Sequence, residues 1–264
     1  MEARRALVRR PSPRLVEGLL THLERTPVDV DLAMAQWADY VAALHRAGWE
    51  TIEVPAADDC PDSVFVEDTV VMYGDLAVIS RPGADERKPE TAATEEVLRS
   101  LGYRIAHITE PATLDGGDVL KHDGVVWVGI GGRTNPAGVA QLTELLAPLG
   151  AEVVGVPLTK VLHLKSAVTA LPDGTVIGYA PVVDDREVWA GRFREVPEEP
   201  GAHVVLLGGN TVLMSTSAPE TIQQFREQGL EVLAVDLTEF EKLEGCVTCL
   251  SVRLRHTPSG AGGE

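Results

Sequence analysis

Cysteine is scarce: only Cys60, Cys246 and Cys249 occur in 264 residues. Three thiols cannot all pair within the chain, and a chain this long buries enough apolar surface to fold without staples. A reducing, cytoplasmic setting is therefore expected. Long apolar runs are missing too. Nowhere do eighteen apolar residues follow one another, and the opening MEARRALVRRPSPRLVEGLL has no apolar stretch ahead of a small-residue cleavage site. Neither a membrane span nor a secretory leader is expected. Positive charge is the third shortage, with 23 Lys and Arg against 40 Asp and Glu and a formal net charge of −17. A nucleic-acid phosphate backbone needs a basic face, so nucleic acid is not expected as a partner, and a small cationic ligand suits this field better. No second cysteine pair and no closely spaced histidine pair accompanies Cys246 and Cys249. That lack argues against a structural zinc site.

What the chain does have is punctuation and repetition. Its 25 Gly and 17 Pro are enough to bound many short elements. Four segments share an amphipathic helix, a terminal glycine and a short Val/Ile-rich strand: YVAALHRAGWETIEVP, EEVLRSLGYRIAHI, LTELLAPLGAEVVGVP and IQQFREQGLEVLAVDL. The glycines are Gly48, Gly102, Gly150 and Gly229, each where a left-handed residue stops a helix. Hairpins are expected between them, in VFVEDTVVMYGDLAVIS, GGDVLKHDGVVWVGI, LKSAVTALPDGTVIGY, GGNTVLMST and CVTCLSVRLR. The long gap from Gly150 to Gly229 is filled by DDREVWAGRFREVPEEPGAHVVLLGG as a degenerate copy. Five units, each a helix with a small sheet, point to a closed ring about an axis. An ordinary doubly wound sheet stays open as an alternative, although it does not explain the hairpins.

Polar residues recur in register. Asp62 follows Gly48 by fourteen residues, Asp115 follows Gly102 by thirteen, and His163 follows Gly150 by thirteen. About a common axis they would face one space, together with Cys249 of the last unit. The Cys-x-x-Cys spacing reads three ways. A redox pair belongs at a helix N-terminus, where positions i and i+3 meet. TCLSVRLR instead alternates like a strand, which would turn the two thiols to opposite faces. A buried core thiol is the usual state of a free cysteine and is kept for Cys246.

The motifs PDSVFVEDT, RPGADERK, ATLDGGDVL, GGRTN, LHLKSA and FEKLEGCVTCLSV, in that order, resemble the dimethylarginine dimethylaminohydrolases. These belong to the guanidino-group modifying superfamily, with arginine deiminases and amidinotransferases. The resemblance runs from residue 6 to His256, and it implies an α/β fold, a five-unit α/β propeller of ββαβ repeats. It further implies one catalytic domain over residues 1–256, followed by a disordered tail over 257–264. Carried over by position, Cys249 matches the nucleophile, His163 the general acid and base, and Asp115 the carboxylate paired with it. Asp62, Phe65, Glu67 and Asp68 match the substrate-binding segment, while Arg87 and Arg133 match the clamp on the substrate carboxylate. Leu20, in a lid, and Leu243 match further substrate contacts.

The implied reaction is hydrolysis of dimethylarginine or monomethylarginine to citrulline and an amine. Clustered carboxylates orient a guanidinium, a cysteine thiolate attacks its carbon, and one histidine serves both proton transfers. No cofactor or metal is called for. Hydrolysis of arginine or another substituted arginine is the nearest alternative, and an inactive guanidine-binding protein a more distant one.

Overall fold

The computed structural model describes residues 4–189 and 191–255, so the expected tail and His256 fall outside the described residues. The chain opens with β1 (Arg4–Val8), followed by α1 (Val30–Arg46) and β2 (Trp49–Glu53). Asp29 starts α1 by accepting from the Leu32 amide, and Gly48 at φ +77° ends it. The second unit is β3 (Val70–Tyr73), β4 (Leu76–Ile79), α2 (Thr91–Ser100) and β5 (Arg104–His107). The third repeats it with β6 (Val119–His122), β7 (Val125–Ile130), α3 (Pro136–Leu146) and β8 (Glu152–Pro157). In the fourth, α4 (Leu164–Ala167) precedes β9 (Val168–Ala170), β10 (Val176–Gly178) and β11 (Phe193–Glu195). Its crossover is built from short 3-10 turns, so the helix expected in every unit is missing from this degenerate copy. The fifth unit is β12 (Val205–Gly208), β13 (Thr211–Ser215), α5 (Pro219–Glu227) and β14 (Glu231–Val235), after which α6 (Thr238–Glu241) leads towards β15 (Val252–Leu254).

Each of the five sheets has three strands: an antiparallel pair, then a third strand added in parallel by the crossover. The hairpin expected within CVTCLSVRLR does not form there. Only its end is a strand, and β15 pairs antiparallel with β1, which in turn pairs parallel with β2. The first and last strands thus build one unit together. A doubly wound sheet, the alternative that the repeats left open, does not form.

The core is divided in five, each part shared by two successive units. Val70 and Met72 of β3 enter one cluster with Leu7 and Val252, whereas Val71 enters the next with Val119 and Val126. Likewise Val212 and Met214 of β13 pack with Ile177 of the fourth unit, and Leu213 packs with Ala6, Tyr40 and Leu44 of the first. A strand with apolar neighbours on both faces reads as a continuous hydrophobic run, which is why VVMY and LAVI lack alternation. No helix among the described residues is long and apolar enough to cross a membrane.

Candidate active site

The stretch around the two late cysteines departs from the strand expected of it. Residues 247–250 turn before β15 begins, and the Cys249 amide donates to the Cys246 carbonyl at 3.1 Å. In a turn, positions i and i+3 come together. The sulfurs are accordingly 3.5 Å apart, both buried, rather than on opposite faces.

His163 sits in extended backbone ahead of α4, and Asp115 stands just before the 3-10 turn Gly116–Asp118. Nε2 of His163 lies 3.0 Å from Oδ2 of Asp115, and its Nδ1 is 3.8 Å from Oδ1 of Asp68. The GGD motif is what allows this approach. A Cβ on Gly117 would come within 2.7 Å of the His163 ring and 2.6 Å of Asp68, and one on Gly116 would meet the Glu67 carbonyl at 2.0 Å. Asp118 then ties two neighbours in place, accepting from the Leu164 amide at 3.0 Å and the Thr134 hydroxyl at 2.6 Å.

Asp68 is buried and accepts from Arg87 Nη1 at 2.6 Å and the Gly117 amide at 2.8 Å. Asp62 accepts from the Leu19 amide at 3.0 Å. The two expected clamp arginines are unequal. Arg87 also donates to Glu90 and to the carbonyls of Asp62 and Phe65, which leaves one hydrogen on Nη1 uncommitted. Arg133 is 8 % exposed, and its Nη1, 3.7 Å from Asp115, is buried without a hydrogen-bond partner.

A small pocket gathers Asp62, Phe65, Asp68, Arg87, Arg133, His163, Leu243 and Cys249. Two expected contacts fall elsewhere. Glu67 does not line this pocket; its carboxylate is held by Lys165 at 2.6 Å and Arg253 at 3.4 Å, because successive residues of the tight 66–69 turn face different ways. Leu20 packs against the apolar cluster of the first and fifth units, and its neighbour Leu19 lines the pocket instead. Sequence reasoning missed Glu244, whose carboxylate accepts from the Thr21, His22 and Leu23 amides and fastens the covering segment. A positive φ at this non-glycine residue, +60°, aims it there, and nothing in FEKLEGC announces that. The space left between these side chains is about 10 Å³, room for a single water.

Electrostatics follow from the burial of opposite charges. Burial disfavours an imidazolium at His163, but Asp68, the bond to Asp115 and the charge of Asp118 outweigh it and raise the pKa to about 9. Burial also works against ionised Asp68, yet His163, Arg87 and the Gly117 amide hold that carboxyl well below the usual range. Asp118 is pushed up to about 7, chiefly by burial. The Cys249 thiol lies well above its ordinary value: the hydrogen bond with Cys246, burial and the negative charges of Cys246, Glu67 and Asp68 all oppose a thiolate. The ligand atoms of Asp68, Asp115 and His163 lie within 4.8 Å of one another. Arg87 and the Gly117 amide engage Asp68, and His163 engages Asp115.

A thiol and a histidine lining one pocket, with carboxylates in its wall and an arginine whose buried Nη1 has no hydrogen bond, are the equipment for attack on a cationic amino acid. The arginine deiminase family model matches residues 51–204. Over 97 % of this chain and 98 % of the relative, it is 61 % identical to the N(G),N(G)-dimethylarginine dimethylaminohydrolase of Streptomyces coelicolor. The chain belongs to the dimethylarginine dimethylaminohydrolase family. The Pseudomonas aeruginosa dimethylarginine dimethylaminohydrolase is 32 % identical over 94 % of this chain and 98 % of that relative. A mutant of the Pseudomonas aeruginosa protein in complex with citrulline has a solved structure that superposes with a TM-score of 0.89 at 30 % identity, covering 96 % of this chain and all of the other.

Proposed function

We propose that this chain hydrolyses Nω-methylated L-arginine to L-citrulline and a methylated amine. The observation that carries this reading is the convergence on one pocket of Cys249, His163 with Asp115 behind it, Asp62, Asp68 and Arg133, whose buried Nη1 has no hydrogen bond. The Streptomyces relative's name and the citrulline bound to the Pseudomonas protein support it.

The guanidinium binds beside Asp62 and Asp68, which take up its charge and orient its carbon. Its positive charge offsets the acids that hold the Cys249 thiol neutral, so the thiolate forms with substrate present. Sulfur attacks the guanidinium carbon to give a tetrahedral adduct. His163, protonated at neutral pH, donates its proton to the departing dimethylamine, and a covalent thiouronium remains. Neutral His163 then takes a proton from water as the water adds to that carbon. Collapse of the second adduct breaks the C–S bond and releases citrulline. Asp115 fixes the imidazole through Nε2 and stabilises its charged form.

In this reading the five sheets stand as the blades of a closed propeller, and residues 1–256 make one catalytic domain. Support comes from the pairing of β15 with β1 and from apolar clusters that run through all five units and return to the first. Cytoplasmic residence is part of the proposal, in keeping with three free thiols. Hydrolysis of arginine itself is the second reading, favoured by the match to the arginine deiminase model. Citrulline release from arginine, monomethylarginine and both dimethylarginines separates the two. Release from arginine alone, with a normally melting protein, would sink the first.

A further inference from the structure

The wide cavity of about 840 Å³ plays no part in the chemistry above. The 65–69 turn separates it from the small pocket: Glu67 lines the one and Asp68 the other. Hairpin turns at Gly74, Asp123, Pro172 and Gly209 contribute to its wall, as does the end of β15, so all five sheets border it. Its size is that of a small-molecule site.

Its charge runs against the rest of the molecule. In a chain of net charge −17, this cavity is lined by Arg4, Lys121, Lys165, Arg253 and Arg255, and, among the described residues, by only two carboxylates, Glu67 and Asp123. Asp123 faces His122 at 3.3 Å, and Glu67 is shared between Lys165 and Arg253 through one oxygen. Lys121 reaches only the Met72 carbonyl, and Arg255 has no hydrogen bond or ion pair among the described residues. Like charges gathered around one cavity repel, and an anion among them would relieve that repulsion.

We propose that this cavity binds a compact multivalent anion, a small molecule bearing phosphates or several carboxylates, through Lys121, Lys165, Arg253 and Arg255. Guanidinium groups meet such oxygens in pairs, and two lysines add point charges that suit either chemistry.

Calorimetric titration of the full chain with inorganic triphosphate, and separately with citrate, tests this at matched ionic strength so that general screening cancels. One saturable site for either anion is expected, and which of the two binds tells phosphate from carboxylate. Lys121→Met and Arg255→Gln should each weaken it by about tenfold, the loss of one charge-assisted contact, with citrulline release unchanged. A second readout needs no variant: triphosphate or citrate should protect Lys121 of the wild-type chain from acetylation, read by mass spectrometry. No saturable binding of either anion below about 1 mM, or wild-type affinity in both folded variants, overturns the proposal. Should a variant fail to fold, unprotected Lys121 in the wild-type chain overturns it equally.

Discussion

Removing the substrate's carboxylate isolates what Arg133 contributes. Nω,Nω-dimethylagmatine has the reacting guanidinium of dimethylarginine and lacks only that group. Arg133 Nη1 is buried with no hydrogen bond, and Asp115 at 3.7 Å offsets its charge only in part. Breaking one side of a buried ion pair costs about 3–5 kcal/mol, and the partial offset puts Arg133 near the low end, about 3 kcal/mol. The single free hydrogen of Arg87 adds roughly 1 kcal/mol. Together these make about 4 kcal/mol, or roughly a thousandfold in kcat/KM at 1.36 kcal/mol per factor of ten. Dimethylamine release follows both substrates in one assay. In Arg133→Ala the gap between them should shrink to about fivefold, because only dimethylarginine loses a contact. Arg87→Ala should instead depress both substrates, since it frees Asp68 and the carbonyls of Asp62 and Phe65. Equal kcat/KM for the two substrates in the wild type would refute the clamp, as would an Arg133→Ala variant that slows them alike.

The repeat was legible because its cause is local. Gly48, Gly102, Gly150 and Gly229 all take positive φ at the ends of their crossovers, and a glycine in that role shows in the sequence whatever surrounds it. His163 and Asp115 were legible through their equal offsets from such glycines, and the fold brings them within 3.0 Å. The failures fall where neighbouring residues in a tight turn part company. Glu67 and Asp68 are adjacent in sequence, yet one meets Lys165 and the other Arg87, and only tertiary contacts decide which. Alternation in TCLSVRLR reads as a strand, but β1 offers pairing to Val252–Leu254 alone, and the residues before it are free to turn. Leu20 and Leu19 exchange roles for the same reason, because the Leu19 amide is fixed by Asp62.

Three further outcomes are expected. Glu244→Ala removes the acceptor for three amides of the covering segment, so amides 21–23 should exchange hydrogen faster and KM should rise several-fold; unchanged exchange would show that Glu244 is no latch. His163 has a folded pKa of about 9 against an ordinary 6.5, so its contribution, on the order of 3 kcal/mol, is complete below pH 6.5 and lost as pH rises towards 9. Thermal melting of wild type should fall across that window while His163→Gln stays flatter; parallel curves would assign the titration elsewhere. The last concerns the two sulfurs, 3.5 Å apart in a turn whose Cys249 amide already bonds the Cys246 carbonyl. Closing to a bond of about 2.05 Å needs little backbone movement. Diamide would accept two electrons and two protons from the thiols, becoming the hydrazine as the S–S bond forms and the nucleophile is consumed. Activity of the wild type should therefore fall and return with dithiothreitol, whereas Cys246→Ser, still able to turn over substrate through Cys249, should resist. Equal inactivation of both proteins would place the oxidation at Cys249 alone and return Cys246 to the role of a core thiol.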